Sequence, residues 1–142
     1  MIEKITNRGR LLSIIIRSQF QDEGIRFFTP DDYSQQLAYM NRPKGYIIAA
    51  HIHNIVPRKV ELTNEVLIIK SGKVRIDYYD NEECYLESKV LETGDIALLV
   101  FGGHGFEMLE DSEIIEVKQG PYAGQMDKTI IETADKELAA TL

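Results

Sequence analysis

Glu65-Val66-Leu67-Ile68-Ile69-Lys70-Ser71-Gly72-Lys73-Val74-Arg75-Ile76-Asp77-Tyr78-Tyr79 is the stretch on which the reading of the fold turns. Two runs rich in β-branched and aromatic residues flank a Ser-Gly-Lys centre. That is the composition of a strand, a hairpin turn and a return strand. Successive side chains of a strand point to opposite faces, so Glu65, Leu67 and Ile69 share one face. A carboxylate among apolar neighbours needs a partner, and Arg58 or Arg75 would be an ordinary one.

Upstream, the same strand reads back to Arg58. Tyr46 to Asn54 reads as another strand, stopped by Pro57, with Ile47, Ala49, His51 and His53 on one face. Leu11 to Arg17 holds three consecutive isoleucines and reads as a buried strand. Asp31 to Met40 fits either a short helix or a loop. Downstream, Tyr85–Leu91, Ile96–Phe101, Phe106–Leu109 and Glu113–Lys118 read as strands. Polar or glycine turns separate them, at Asp80-Asn81-Glu82-Glu83, Thr93-Gly94-Asp95, around His104 and at Glu110-Asp111-Ser112. Short strands at this spacing predict an all-β sandwich or small barrel. Gly120-Pro121-Tyr122-Ala123-Gly124 reads as a loop. Asp135 to Leu142 has helix-forming composition.

At 142 residues the chain has the size of one domain, 1–142. Its β core is expected at about 46–118, with an N-terminal strand and loop extension (1–45) and a C-terminal extension (119–142). Cys84 is the single cysteine, which points to a reducing, cytoplasmic setting. Its acidic neighbours Glu82, Glu83 and Glu87 argue against a nucleophilic role. The net charge of −7 disfavours nucleic acid as a partner. No apolar run has the length of a membrane span, and the first residues lack a signal-peptide pattern. A soluble protein acting on a small molecule is the expectation.

The three histidines fall in two short places. His51 and His53 lie in Ala50-His51-Ile52-His53-Asn54, and His104 in Gly102-Gly103-His104-Gly105. A His-x-His pair on a strand points two imidazoles the same way, and glycines give the backbone freedom to aim a third. With Glu65 they form a ligand set suited to Zn, Fe, Mn or Ni. Equally, imidazoles near neutral pKa can serve as acid/base groups without metal. Arg58, Tyr46 and Tyr122 are weaker candidates for substrate contacts.

The His-x-His pair, the Glu65-x6-Gly72 segment and the glycine-rich turn ending in His104 resemble, in that order, the two motifs of the cupin superfamily. The resemblance spans roughly Tyr46 to Lys118. Eleven residues (54–64) separate His53 from Glu65, where the family has three or four. Val100 stands where the second motif has proline, and Met108 where it has asparagine. The resemblance implies a double-stranded β-helix, the jelly-roll barrel, with short terminal extensions. Around Gly45 to Gly72 the chain looks like the sugar-nucleotide ketoisomerases and epimerases of bacterial polysaccharide synthesis. In that branch His51 or His53 would be the catalytic base and its partner the donor, with no metal. A metal-dependent enzyme such as a dioxygenase, using His51, His53, Glu65 and His104 as ligands, is the alternative. A non-catalytic cupin binding a metal or small ligand is a third. Small cupins pair through sheet edges or swapped strands, so a homodimer is expected, with Leu11 to Ile16 in its interface.

Overall fold

A computed structural model describes residues 1–132. The helix expected at Asp135–Leu142 lies outside them. The chain divides into two compact units, Met1–Phe20 with Thr63–Leu142, and Gln21–Leu62.

The first unit holds eight of the ten strands among the described residues. These are β1 (Ile2–Asn7), β2 (Arg10–Ile16), β5 (Glu65–Ser71), β6 (Lys73–Tyr79), β7 (Tyr85–Glu92), β8 (Ile96–Leu99), β9 (Gly103–Met108) and β10 (Glu113–Lys118). A five-stranded sheet runs β1-β2-β8-β5-β10 and a three-stranded sheet β7-β6-β9, every pair antiparallel. The all-β expectation is met, in sheets none of which closes into a barrel.

Ser71-Gly72-Lys73 is not a hairpin turn. β5 and β6 belong to different sheets, so Gly72 is the corner between them. β9 and β10 follow the same course in reverse. β10 pairs with β5 (Lys118 opposite Glu65) and β9 with β6 (His104 opposite Tyr78). The four strands are thus one long antiparallel ribbon, folded over itself at Gly72 and Ser112. Gly72 has φ +89°, and a Cβ there would lie 2.3 Å from Ser112 Oγ, so only glycine fits the fold line. The folded halves enclose the core: Ile5, Leu12, Ile15, Leu67, Ile69, Leu91, Ala97 and Leu99 meet Val74, Ile76 and Tyr78. Each buried large aliphatic contributes on the order of 2 kcal/mol.

Ser13 through Ile16 are consecutively buried, which explains why that strand reads as a run and not as an alternation. These residues, expected in a dimer interface, are already buried within the single chain. β1 was not anticipated, because Ile2–Asn7 alternates charged and apolar residues too sparsely to stand out.

The second unit contains the hairpin β3 (Gly24–Phe27) and β4 (Ala38–Asn41). Its connection is a loop closed by Gln36, whose side-chain amide donates to the Pro30 and Tyr33 carbonyls, while the Thr29 hydroxyl donates to Gln36 Oε1. Two expectations are corrected here. Tyr46 to Asn54 is not a strand, and neither is Arg58 to Asn64; strand begins only at Glu65. β propensity acts locally, but a strand exists only where a neighbour takes its amides and carbonyls.

Candidate functional site

Glu65 opens β5 and is held there by its neighbour. The buried Asn64 donates its side-chain amide to the Val100 carbonyl, and its own carbonyl accepts from Gln119 N–H. The strand phase then turns Glu65 inward with Leu67 and Ile69. His104 approaches from the other sheet. The chain leaves β8 and turns at Gly102, where φ is +80° and a Cβ would lie 2.6 Å from the Tyr79 carbonyl oxygen. Two residues later the His104 ring faces inward beside Tyr78 and packs against Phe106, with centroids 5.2 Å apart.

His104 Nε2 lies 3.1 Å from Glu65 Oε2. The other carboxylate oxygen lies 3.6 Å from Lys118 Nζ, which in turn sits 3.0 Å from Asp127 Oδ2. Asp127 follows a single 3₁₀ turn, Gly124–Met126. The four side chains follow one another in contact: Asp127, Lys118, Glu65, His104. The His104 bond is the main cause holding the Glu65 carboxyl below its ordinary range. Burial opposes it, and the His104 and Lys118 charges reinforce it. The Asp127 bond raises Lys118 above the usual ammonium value, again against desolvation.

A carboxylate only accepts, so Nε2 carries the proton of the His104–Glu65 bond. Nδ1 makes no hydrogen bond among the described residues, and the His104 side chain is 28% exposed. Glu65 therefore orients the imidazole and leaves one nitrogen to exchange protons. The neighbours suggested for Glu65 are elsewhere: Arg75 pairs with Asp77 and Glu107, and Arg58 reaches only the Val56 carbonyl at 3.5 Å. Lys118 and Asp127 were missed. Lys118 was findable in principle, since Ile114, Glu116 and Lys118 share a face, but its place opposite Glu65 depends on a long-range register.

The remaining candidates are described where they stand. His51 and His53 belong to the second unit. Their rings meet edge to face, centroids 5.1 Å apart, and His51 Nδ1 lies 2.8 Å from the Ala49 carbonyl oxygen. The Tyr46 ring lies under the Arg42 guanidinium at 4.6 Å. Tyr122 is 82% exposed in the loop before Asp127. Glu65 and His104 are two potential metal donors, with the Lys118 ammonium beside the carboxylate. That donor set does not by itself fit a divalent metal, and no group of three or more His, Cys, Asp or Glu among the described residues is placed to hold one. Among the described residues no helix is long and apolar enough to cross a membrane. Comparison of the chain with protein-family models, with curated proteins and with solved structures returns no match.

Proposed function

We propose that the chain is a cupin-type isomerase or epimerase that moves a proton on a small carbonyl-bearing substrate of the sugar-nucleotide class. The observation that carries this reading is the His104–Glu65 pair at 3.1 Å, between two facing sheets. The ribbon folded at Gly72, with its legs in opposite sheets, supports a double-stranded β-helix arrangement of the cupin kind.

The chemistry follows from the donors and acceptors in place. Glu65 fixes the Nε2–H of His104, and Nδ1 takes the proton from the carbon next to the substrate carbonyl. The electron pair of the broken C–H bond moves to the carbonyl oxygen, giving an enolate. The Lys118 ammonium, 3.6 Å from the other Glu65 oxygen, helps keep that carboxylate ionised as the partner of Nε2–H. Isomerisation is complete when Nδ1 gives the proton to the former carbonyl carbon while the hydroxyl proton of the neighbouring carbon passes to the enolate oxygen; return to the carbon it left regenerates the substrate, and epimerisation would need a second donor on the opposite face.

The test is hydrogen exchange in deuterated water. Keto-sugar nucleotides incubated with the protein should exchange the proton next to the carbonyl, followed by NMR. His104→Asn should lower that rate by on the order of 10²–10⁴, and Glu65→Gln by less. No exchange with any keto-sugar nucleotide, or full exchange in His104→Asn, rejects the proposal.

A further inference from the structure

Past Lys118 the chain stays close to the Glu65–His104 pair. Two side chains of residues 120–132 fasten that segment to the sheets. Asp127 Oδ2 lies 3.0 Å from Lys118 Nζ, and Lys118 stands opposite Glu65 on the inner face of the five-stranded sheet. Ile131 sits over Gly103, where an added Cβ would lie 2.5 Å from Ile131 Cδ1 and 3.1 Å from Tyr79 Cβ. Gly103 pairs with Tyr79 and His104 with Tyr78, whose side chain is in the core. Neighbours along a strand face opposite ways. Ile131 therefore lies on the outer face of the three-stranded sheet, behind the strand position that turns His104 inward.

The segment thus passes from the inner face of one sheet to the outer face of the other. Asp127 and Ile131 are four residues apart, and four residues of extended chain reach at most about 14 Å. The crossing is therefore direct, past the strand ends that carry Glu65 and His104. With both fastenings made, the Glu65 and Asp127 side chains are 11% and 12% exposed, so the pair is closed on this side. Little else holds the segment. Among the described residues, the one backbone hydrogen bond within 121–132 runs from Asp127 N–H to the Gly124 carbonyl. A stretch with so few backbone bonds opens locally while paired strands stay closed.

We propose that residues 120–132 are a strap that opens and closes over the Glu65–His104 pair, with Lys118–Asp127 as its latch and Ile131 on Gly103 as its hook. Closed, the strap keeps bulk water from the pair. Open, it gives a small molecule a way to His104 Nδ1. Gly103 makes the hook possible, because any side chain there would fill the place that Ile131 takes. Gating of catalysis rests on the site proposed above; the opening itself does not.

His104 reports the strap without any substrate. Diethylpyrocarbonate acylates an unprotonated imidazole nitrogen that it can reach, and mass spectrometry of the tryptic peptide 90–118 separates His104 from His51 and His53. Asp127→Asn removes the latch charge at constant size, and Ile131→Ala shortens the hook. Each should raise the rate of His104 acylation about three- to tenfold, the effect of one weakened contact on a local opening equilibrium. Trypsin cleavage after Lys128 should rise in parallel. Amide protection of Leu67 in β5 and Ile76 in β6 should not change. An unchanged His104 rate in either variant overturns the proposal. So does a rise that comes with lost protection at Leu67 and Ile76, since the sheets and not the strap would then have loosened. Neither readout involves catalysis, so failure here is separable from failure of the isomerase reading.

Discussion

The Tyr78 hydroxyl donates to Ser13 Oγ at 3.0 Å, joining the three-stranded sheet to the five-stranded sheet through the middle of the core. Tyr78 is 1% exposed and Ser13 fully buried, so no water replaces either partner. Tyr78→Phe and Ser13→Ala should each lower stability by about 1–3 kcal/mol, because each strands the other hydroxyl. The double variant should lose clearly less than the sum. Urea unfolding of the four proteins measures this cycle, and strict additivity would show that the bond contributes nothing.

The same tyrosine predicts an alkaline limit. Burial pushes the Tyr78 hydroxyl up to about 12, against the opposing bond to Ser13. A group whose folded value is raised stabilises fully below its unfolded value, here 10.0, and that stability is lost as pH rises towards about 12. In a tyrosinate absorbance titration, one of the seven tyrosines should therefore titrate late. The late phase should vanish in Tyr78→Phe.

Glu65 sets a limit on the acid side. Its folded value is lowered, chiefly by His104, so its contribution is present above the ordinary carboxyl value of 4.5 and lost as pH falls through the folded value. At neutral pH, Glu65→Gln should cost on the order of 1 kcal/mol, the difference between a charge-assisted and a neutral bond. The gap between wild type and variant should close in acid. A gap that stays constant with pH would mean the carboxylate charge is not what holds His104.

Two glycines with similar backbones separate strain from collision. Gly9 has φ +76° and open space around its missing Cβ, whereas Gly102, at φ +80°, has the Tyr79 carbonyl oxygen 2.6 Å away. Gly9→Ala should lose about 1 kcal/mol from conformation alone. Gly102→Ala should lose more, about 2–4 kcal/mol, since backbone must move as well. It should also displace His104, visible as a shift of its ring resonances. Equal losses at the two sites would remove the collision argument.

Alternation within a strand is a local property, so the inward phase of Glu65 with Leu67 and Ile69 is legible from residue order alone. The run from Ser13 to Ile16 is legible for the same reason. What Ser71-Gly72-Lys73 does is not. A glycine at positive φ serves a hairpin and a corner equally well, and only the partners of β5 and β6, tens of residues away, decide between them. Tyr46 to Asn54 shows the converse: the residues favour a strand, but among the described residues no strand pairs with them. Lys118 and Asp127 reach Glu65 through a register and a chain reversal that no local pattern encodes.

The corner at Gly72 also behaves as a fulcrum. Glu65 stands at the far end of β5 and His104 beside Tyr78 towards the far end of β6, so the two residues cap the tips of a pair of arms hinged at one glycine. A small rotation at the hinge is magnified at the tips. The 3.1 Å contact between them is thus a gauge of the angle between the sheets. Whatever enters between the tips must work against the leverage of the whole packed interior.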